Sequence, residues 1–154
     1  NSIPFIPVSI LLYVPLLPMV AVPAFALSEE KIRTGFWTYI GVIVSSFAMF
    51  LLVPMKMTRD GLETGAFDPL FQLLWTIDPP FNTFPSLHVS LATIATLVVW
   101  QHDRQLGRWM LIGATLLTLS TFLAKQHFVI DAIGGMVLAM AWYHYHYLPR
   151  VRLI

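Results

Sequence analysis

Cysteine is absent from this chain, and charge is scarce. Without cysteine there is no disulfide, no thiolate metal site and no cysteine nucleophile, although the compartment stays open. Asp, Glu, Lys and Arg make up 11% of the 154 residues, less than half the share of about 25% usual in soluble domains. Hydrophobic residues make up 57%, and the mean hydropathy is +0.73. A domain of this size has too few polar residues to cover one core, and the same totals exclude disorder. The reading is an integral membrane protein. A net charge of +1 gives no basic footprint, so nucleic acid is not an expected partner, whereas membrane lipids are. The opening stretch lacks the positive region of a signal peptide.

Hydropathy predicts an all-α, polytopic transmembrane helix bundle with about five spans, over residues 3–27, 36–53, 86–100, 109–124 and 128–147. Pro4, Pro7, Pro15, Pro18 and Pro23 crowd the first span and should bend it, since each removes a backbone donor. The third and fourth spans are short for a bilayer of about 30 Å. Their ends are expected below the membrane surface, where polar groups would line a cavity within the protein. In the long connection 54–85, Asp68-Pro69 reads as an N-cap followed by proline at the first helical position. A short interfacial helix through Leu70 and Trp75 follows, and Asp78-Pro79-Pro80 ends it. No internal repeat or low-complexity run is present.

Lys31, Arg33, Arg104, Arg108, Arg150 and Arg152 fall on one side of a five-span topology, and Lys56, Arg59 and Lys125 on the other. Positive-inside bias puts the first six in the cytoplasm and turns the other side outward. The minority side also carries the polar residues that are costly at a membrane edge, and such residues are functional candidates by default.

Pro85-Ser86-Leu87-His88 opens a helix, with Pro85 suited to its first turn. The free amides there, the Leu87 amide among them, with the Ser86 hydroxyl make either an ordinary helix start or an anion site. His88, in the same turn, could protonate a leaving oxygen. His127 and Asp131 are four residues apart and would share a helix face. The carboxylate could fix the imidazole tautomer and leave the other nitrogen free to attack phosphorus. A structural hydrogen-bonded pair and a pair of metal ligands are the competing readings. The metal reading lacks a His-Glu-x-x-His pattern and an acidic or cysteine cluster to complete it. Lys56, Arg59 and Lys125 either snorkel at the surface or hold phosphate charge. Tyr143-His144-Tyr145-His146-Tyr147 reads as an aromatic belt at the opposite face, and Gly134-Gly135 as a close helix contact.

At these residues the sequence resembles the type-2 phosphatidic acid phosphatase superfamily. Pro85-Ser86-Leu87-His88 is similar to that family's Pro-Ser-Gly-His motif. Ser120-Thr121, His127 and Asp131 match the spacing of its last motif, Ser-Arg, five residues, His, three residues, Asp. Lys56 and Arg59 fall in the region of its first motif at shorter spacing. Leu87, Thr121, the run Lys125-Gln126-His127, the opening Ile3-Pro4-Phe5-Ile6-Pro7 and the run from Asp78 to Ser86 look like the inositolphosphorylceramide-synthase-like branch.

The resemblance implies a metal-independent phosphoric monoester hydrolase, a lipid phosphate phosphatase that forms a phosphohistidine and needs no cofactor and no metal. Headgroup phosphotransfer is the alternative, and a non-catalytic lipid-binding protein is a third reading. By carry-over His127 is the nucleophile, Asp131 its orienter and His88 the general acid. Ser86, Leu87, Ser120, Lys125, Lys56 and Arg59 would bind phosphate, with Lys125 replacing the cation lost at Thr121. The family core has six helices, so residues 1–154 are expected to form one transmembrane phosphatase-like domain lacking one N-terminal span. The expected location is a bacterial inner membrane with the site facing the periplasm, or the lumenal side in a eukaryote.

Overall fold

A computed structural model describes residues 3–153, the Leu16 side chain apart. The helices are α1 (Ile10–Leu16), α2 (Val22–Ala26), α3 (Glu29–Leu52), α4 (Asp68–Ile77), α5 (Leu87–Trp100), α6 (Arg104–Leu123), α7 (Val129–Trp142) and α8 (Leu148–Val151). Among the described residues no strand forms beyond a single bridge between Lys56 and Phe81. The chain is all-α.

The proline-rich opening does not make one regular helix. Tight 3-10 turns at Pro7–Ser9 and Leu17–Ala21 flank α1 and separate it from α2, because each proline lacks the amide that would continue an α-helical ladder. α3 begins at Glu29, a full two turns before the predicted start. Ser28 supplies an extended N-cap and Glu29 and Glu30 fill the first turn, where carboxylates favour a helix N-terminus. α6 likewise begins at Arg104, because Asp103 accepts hydrogen bonds of 2.9 Å from the Gln105 and Leu106 amides.

Three runs, Pro7–Ala26, Glu29–Leu52 and Arg104–Leu123, are long and apolar enough to cross a membrane by length and composition. The helical bundle expected from hydropathy is present, and these three runs are the longest apolar crossings among the described residues. α5 is apolar but has 14 residues, about 21 Å at 1.5 Å per residue. It is the central rod: Val89, Ala92, Ile94, Ala95, Val98 and Val99 are all buried. The outer faces of α3 and α6 expose Phe36, Trp37, Val44, Phe47, Trp109 and Ile112, which in a membrane is contact with lipid rather than water. The protein is an integral membrane protein.

Two further expectations need correction. Asp68 is not the N-cap of α4; Phe67 holds that position. The Asp68 carboxylate instead accepts from the Thr64 hydroxyl at 2.6 Å and the Gln72 amide at 2.7 Å. The Tyr143–Tyr147 stretch is only in part a belt: it is a π-helical turn in which Tyr143 and Tyr147 are buried while His144 and Tyr145 are exposed. Tyr143 donates to Gln101 Oε1 and Tyr147 Oη pairs with His102 Nε2, both at 2.9 Å. Thr38 Oγ1 pairs with His146 Nδ1, also at 2.9 Å. These bonds gather α3, the α5–α6 turn and the end of α7 at the Lys31/Arg104 end of the bundle, opposite His88 and His127.

Candidate active site

The start of α5 fixes one half of the site. Ser86 caps the helix, with its backbone extended and its hydroxyl accepting from the Val89 amide at 3.3 Å. Pro85 therefore lies before the helix instead of in its first turn, because Ser86 has left helical geometry to cap it. The Ser86 amide donates to the Asp131 carbonyl at 2.9 Å. The Leu87 and His88 amides, as the first two of the helix, have no intrahelical acceptor.

The α6–α7 turn supplies the other half. Lys125 takes a left-handed conformation, φ 54°, which reverses the chain within a few residues after α6. His127 precedes α7 rather than sharing a face of it with Asp131, since Phe128 is the extended N-cap. Asp131 is fully buried, and its Oδ2 accepts from the Phe128 amide at 2.9 Å.

His127 Nδ1 lies 3.1 Å from the Thr83 carbonyl oxygen and 3.5 Å from Asp131 Oδ2. A carbonyl only accepts, so Nδ1 carries the hydrogen and the neutral ring keeps its lone pair on Nε2. The shorter contact sets the tautomer, and Asp131 adds charge beyond ordinary hydrogen-bond length. His127 Nε2, His88 Nδ1 and Asp131 Oδ1 are buried with no partner among the described residues. The two imidazole centroids are 5.8 Å apart at 57°, within the reach of one phosphoryl group that touches both rings.

Close backbone approach makes this meeting possible. A Cβ on Gly135 would lie 2.6 Å from the Ser86 carbonyl oxygen, and one on Gly134 would lie 2.6 Å from the Phe84 ring. Only glycine lets the second turn of α7 lie against the start of α5.

The expected phosphate-binding residues are dispersed. Arg59 comes closest: its guanidinium donates to Gln126 Oε1 at 2.6 Å, next to His127, and to the Asp78 carbonyl at 2.9 Å. Desolvation by burial lowers its pKa, and the charge of Asp78 opposes that. The Lys125 ammonium donates to the Ile3 carbonyl, and that of Lys56 stands 5.2 Å from the Phe81 ring centroid. Ser120 donates to the Leu117 carbonyl at 2.7 Å and Thr121 to the Thr118 carbonyl at 2.7 Å, so both hydroxyl hydrogens are used within α6. Among the described residues no group of three His, Cys, Asp or Glu side chains could hold a metal ion. Cavities of about 290 Å³ beside Val20 and Tyr39 and about 250 Å³ beside Thr96 and Met136 lie away from the histidines.

A family model described as the PAP2 superfamily matches residues 9–145. The chain belongs to the PAP2 superfamily. No curated protein and no solved structure matches it significantly. Membership in the PAP2 superfamily supports a phosphatase-type activity on lipid phosphates, and the matched residues span every helix that contributes to the histidine pair.

Four residues at the pair were given no role there from sequence: Tyr13, Asp78, Thr83 and Gln126. Thr83 acts through its carbonyl, which has no signature in residue type. Gln126 flanks a singled-out histidine and could have been found by that adjacency. Tyr13 and Asp78 meet the site only through the fold of distant segments.

Proposed function

We propose that this protein is a metal-independent lipid phosphate phosphatase in which His127 forms a phosphohistidine. The observation that carries the reading is the pair of buried, unpartnered nitrogens, His127 Nε2 and His88 Nδ1, on imidazoles 5.8 Å apart. A buried polar atom without a partner costs stability unless something else uses it.

The His127 Nε2 lone pair attacks phosphorus while the bond to the leaving alcohol oxygen breaks. His88 gives its proton to that oxygen. Water then attacks the phosphohistidine, His88 takes the water's proton, and inorganic phosphate leaves with His127 restored. The Thr83 carbonyl and Asp131 hold the tautomer throughout and stabilise the charge that develops on the ring. Arg59 and the Leu87 and His88 amides stabilise the transferring phosphoryl group. Ser86 acts by capping that helix start. Lys56, Lys125 and Ser120 join the set only if substrate draws them from their present partners.

The substrate headgroup is taken from the outward or lumenal face, the side favoured by the distribution of Lys and Arg. Transfer to an alcohol, as in the inositolphosphorylceramide-synthase-like branch, uses the same intermediate with a different second step. The test is phosphate release by purified protein in detergent, from a phosphatidate, with and without a chelator and with added alcohols. Hydrolysis that persists in chelator and disappears in His127→Ala is expected. Activity that collapses in chelator and returns with one divalent metal overturns the reading, and alcohol-dependent turnover converts it to transfer.

A further inference from the structure

Tyr13 reaches the site from α1 and has no part in the chemistry above. It is fully buried, with its ring edge-to-face against His88 at a centroid distance of 5.5 Å. Its hydroxyl points to Asp78 Oδ2 at a long 3.5 Å, and the Asp78 carbonyl in turn holds Arg59. His88 differs from His127 in one respect. The His127 ring is fixed by a hydrogen bond to Thr83, whereas His88 Nδ1 has no partner among the described residues. Terminal torsions of a histidine are broad, so something other than hydrogen bonding must hold that ring for in-line proton transfer. Two aromatic neighbours are within reach of it: His127 at a centroid distance of 5.8 Å and Tyr13 at 5.5 Å.

We propose that Tyr13 is a positioning residue that sets the His88 imidazole for proton donation to the leaving oxygen, acting through ring packing. The proposal rests on the phosphohistidine reading, in which His88 is the general acid. Edge-to-face packing holds a ring's orientation without using its nitrogens, which suits a group whose nitrogen must stay open to substrate. The long contact to Asp78 makes the hydroxyl the lesser part.

The consequence is selective. A misoriented general acid slows esters of poor leaving groups and spares those whose leaving group departs without a proton. The experiment compares Tyr13→Leu, Tyr13→Met and Tyr13→Phe on dodecyl phosphate and on 4-nitrophenyl phosphate, with melting curves in detergent. Tyr13→Leu and Tyr13→Met should lose about 10- to 100-fold on the alkyl ester, part of the roughly 10²–10⁴-fold that a general acid contributes, and about threefold or less on the aryl ester. Tyr13→Phe, which keeps the ring, should stay close to wild type on both. In a His88→Ala background, Tyr13→Leu should add nothing further on the alkyl ester.

Equal losses on the two esters overturn the proposal, as does additivity with His88→Ala. A loss in Tyr13→Phe as large as in Tyr13→Leu assigns the role to the hydroxyl and overturns ring packing. Failure of both Tyr13→Leu and Tyr13→Met to fold makes Tyr13 structural and overturns the positioning role as well. The underlying reading fails separately, through a His88→Ala protein that slows both esters equally.

Discussion

Replacing Gly135 with alanine should damage both stability and turnover, because the seam between α5 and α7 has no room for one methyl group. The added Cβ would stand 2.6 Å from the Ser86 carbonyl oxygen and 3.0 Å from Ser90 Oγ, where ordinary contact begins at 3.4 Å. The nearer clash is with backbone, which cannot rotate away, so the helices must part by roughly 0.8 Å. Overpacking of this kind costs about 1–3 kcal/mol. The same seam carries the bond from the Ser86 amide to the Asp131 carbonyl, and weakening it adds about 0.5–1.5 kcal/mol. Better helix propensity returns about 1 kcal/mol, leaving a net loss of about 0.5–3.5 kcal/mol. His127 and Asp131 move with α7 and His88 with α5, and a misplacement of about 1 Å can cost roughly 10²-fold in rate. The assays are thermal unfolding in detergent and phosphate release under saturating substrate. Gly35→Ala is the control: its Cβ would meet only the Tyr147 ring at 3.9 Å, so it should be neutral or slightly stabilising. Wild-type melting and turnover in Gly135→Ala would refute the argument that this contact aligns the histidines.

Other outcomes follow from the same geometry. Asp131→Asn keeps an oxygen for the Phe128 amide, so melting should change little while kcat falls about 10²–10³-fold. That is milder than the serine-protease precedent of about 10⁴, because the Thr83 carbonyl still holds Nδ1; unchanged kcat would contradict a role for the carboxylate. Arg59→Lys loses the fork that bridges Gln126 and Asp78 and should lower kcat/KM by about 10–100-fold, since one ammonium cannot replace a planar pair of donors. A KM and kcat both within twofold of wild type would remove Arg59 from the site. Burial, and after it the charge of Lys31, lowers the pKa of His102 below its ordinary 6.5. A base so depressed takes up its proton more readily when unfolded, so its stabilisation is present above about pH 6.5 and is lost as the pH falls. Melting temperature should therefore drop from pH 7 to 5, and His102→Phe should reduce the slope; an unchanged slope would contradict the assignment.

How much of this could be read in the sequence depends on what carries each interaction. The spacing of His127 and Asp131 and the Pro85–His88 tetrapeptide brought out the residues that meet, because those are side chains of distinctive type at fixed intervals. Helix starts were harder. Hydropathy begins α3 at Phe36, yet Ser28, Glu29 and Glu30 extend it through favourable end electrostatics that an apolar window discounts. Spacing assigns the tautomer of His127 to Asp131, four residues on, whereas the nearer acceptor is the backbone of Thr83, and a carbonyl is present at every position of every chain. Lys125 read as a phosphate ligand from its neighbours in sequence, but its ammonium reaches the Ile3 carbonyl across a contact that only folding creates. Tyr13 was hidden by its context as one aromatic in a proline-rich apolar run.

The central claim is a covalent bond between His127 and phosphorus, and rapid-quench trapping tests it most directly. Purified protein is mixed with a radiolabelled phosphate ester, stopped in alkali within milliseconds, and digested for peptide mapping. The account predicts an alkali-stable, acid-labile phosphate on the peptide carrying His127, formed no more slowly than turnover and absent from His127→Ala. Full turnover with no trapped phosphate under conditions that preserve phosphohistidine, or label on another residue, would contradict it.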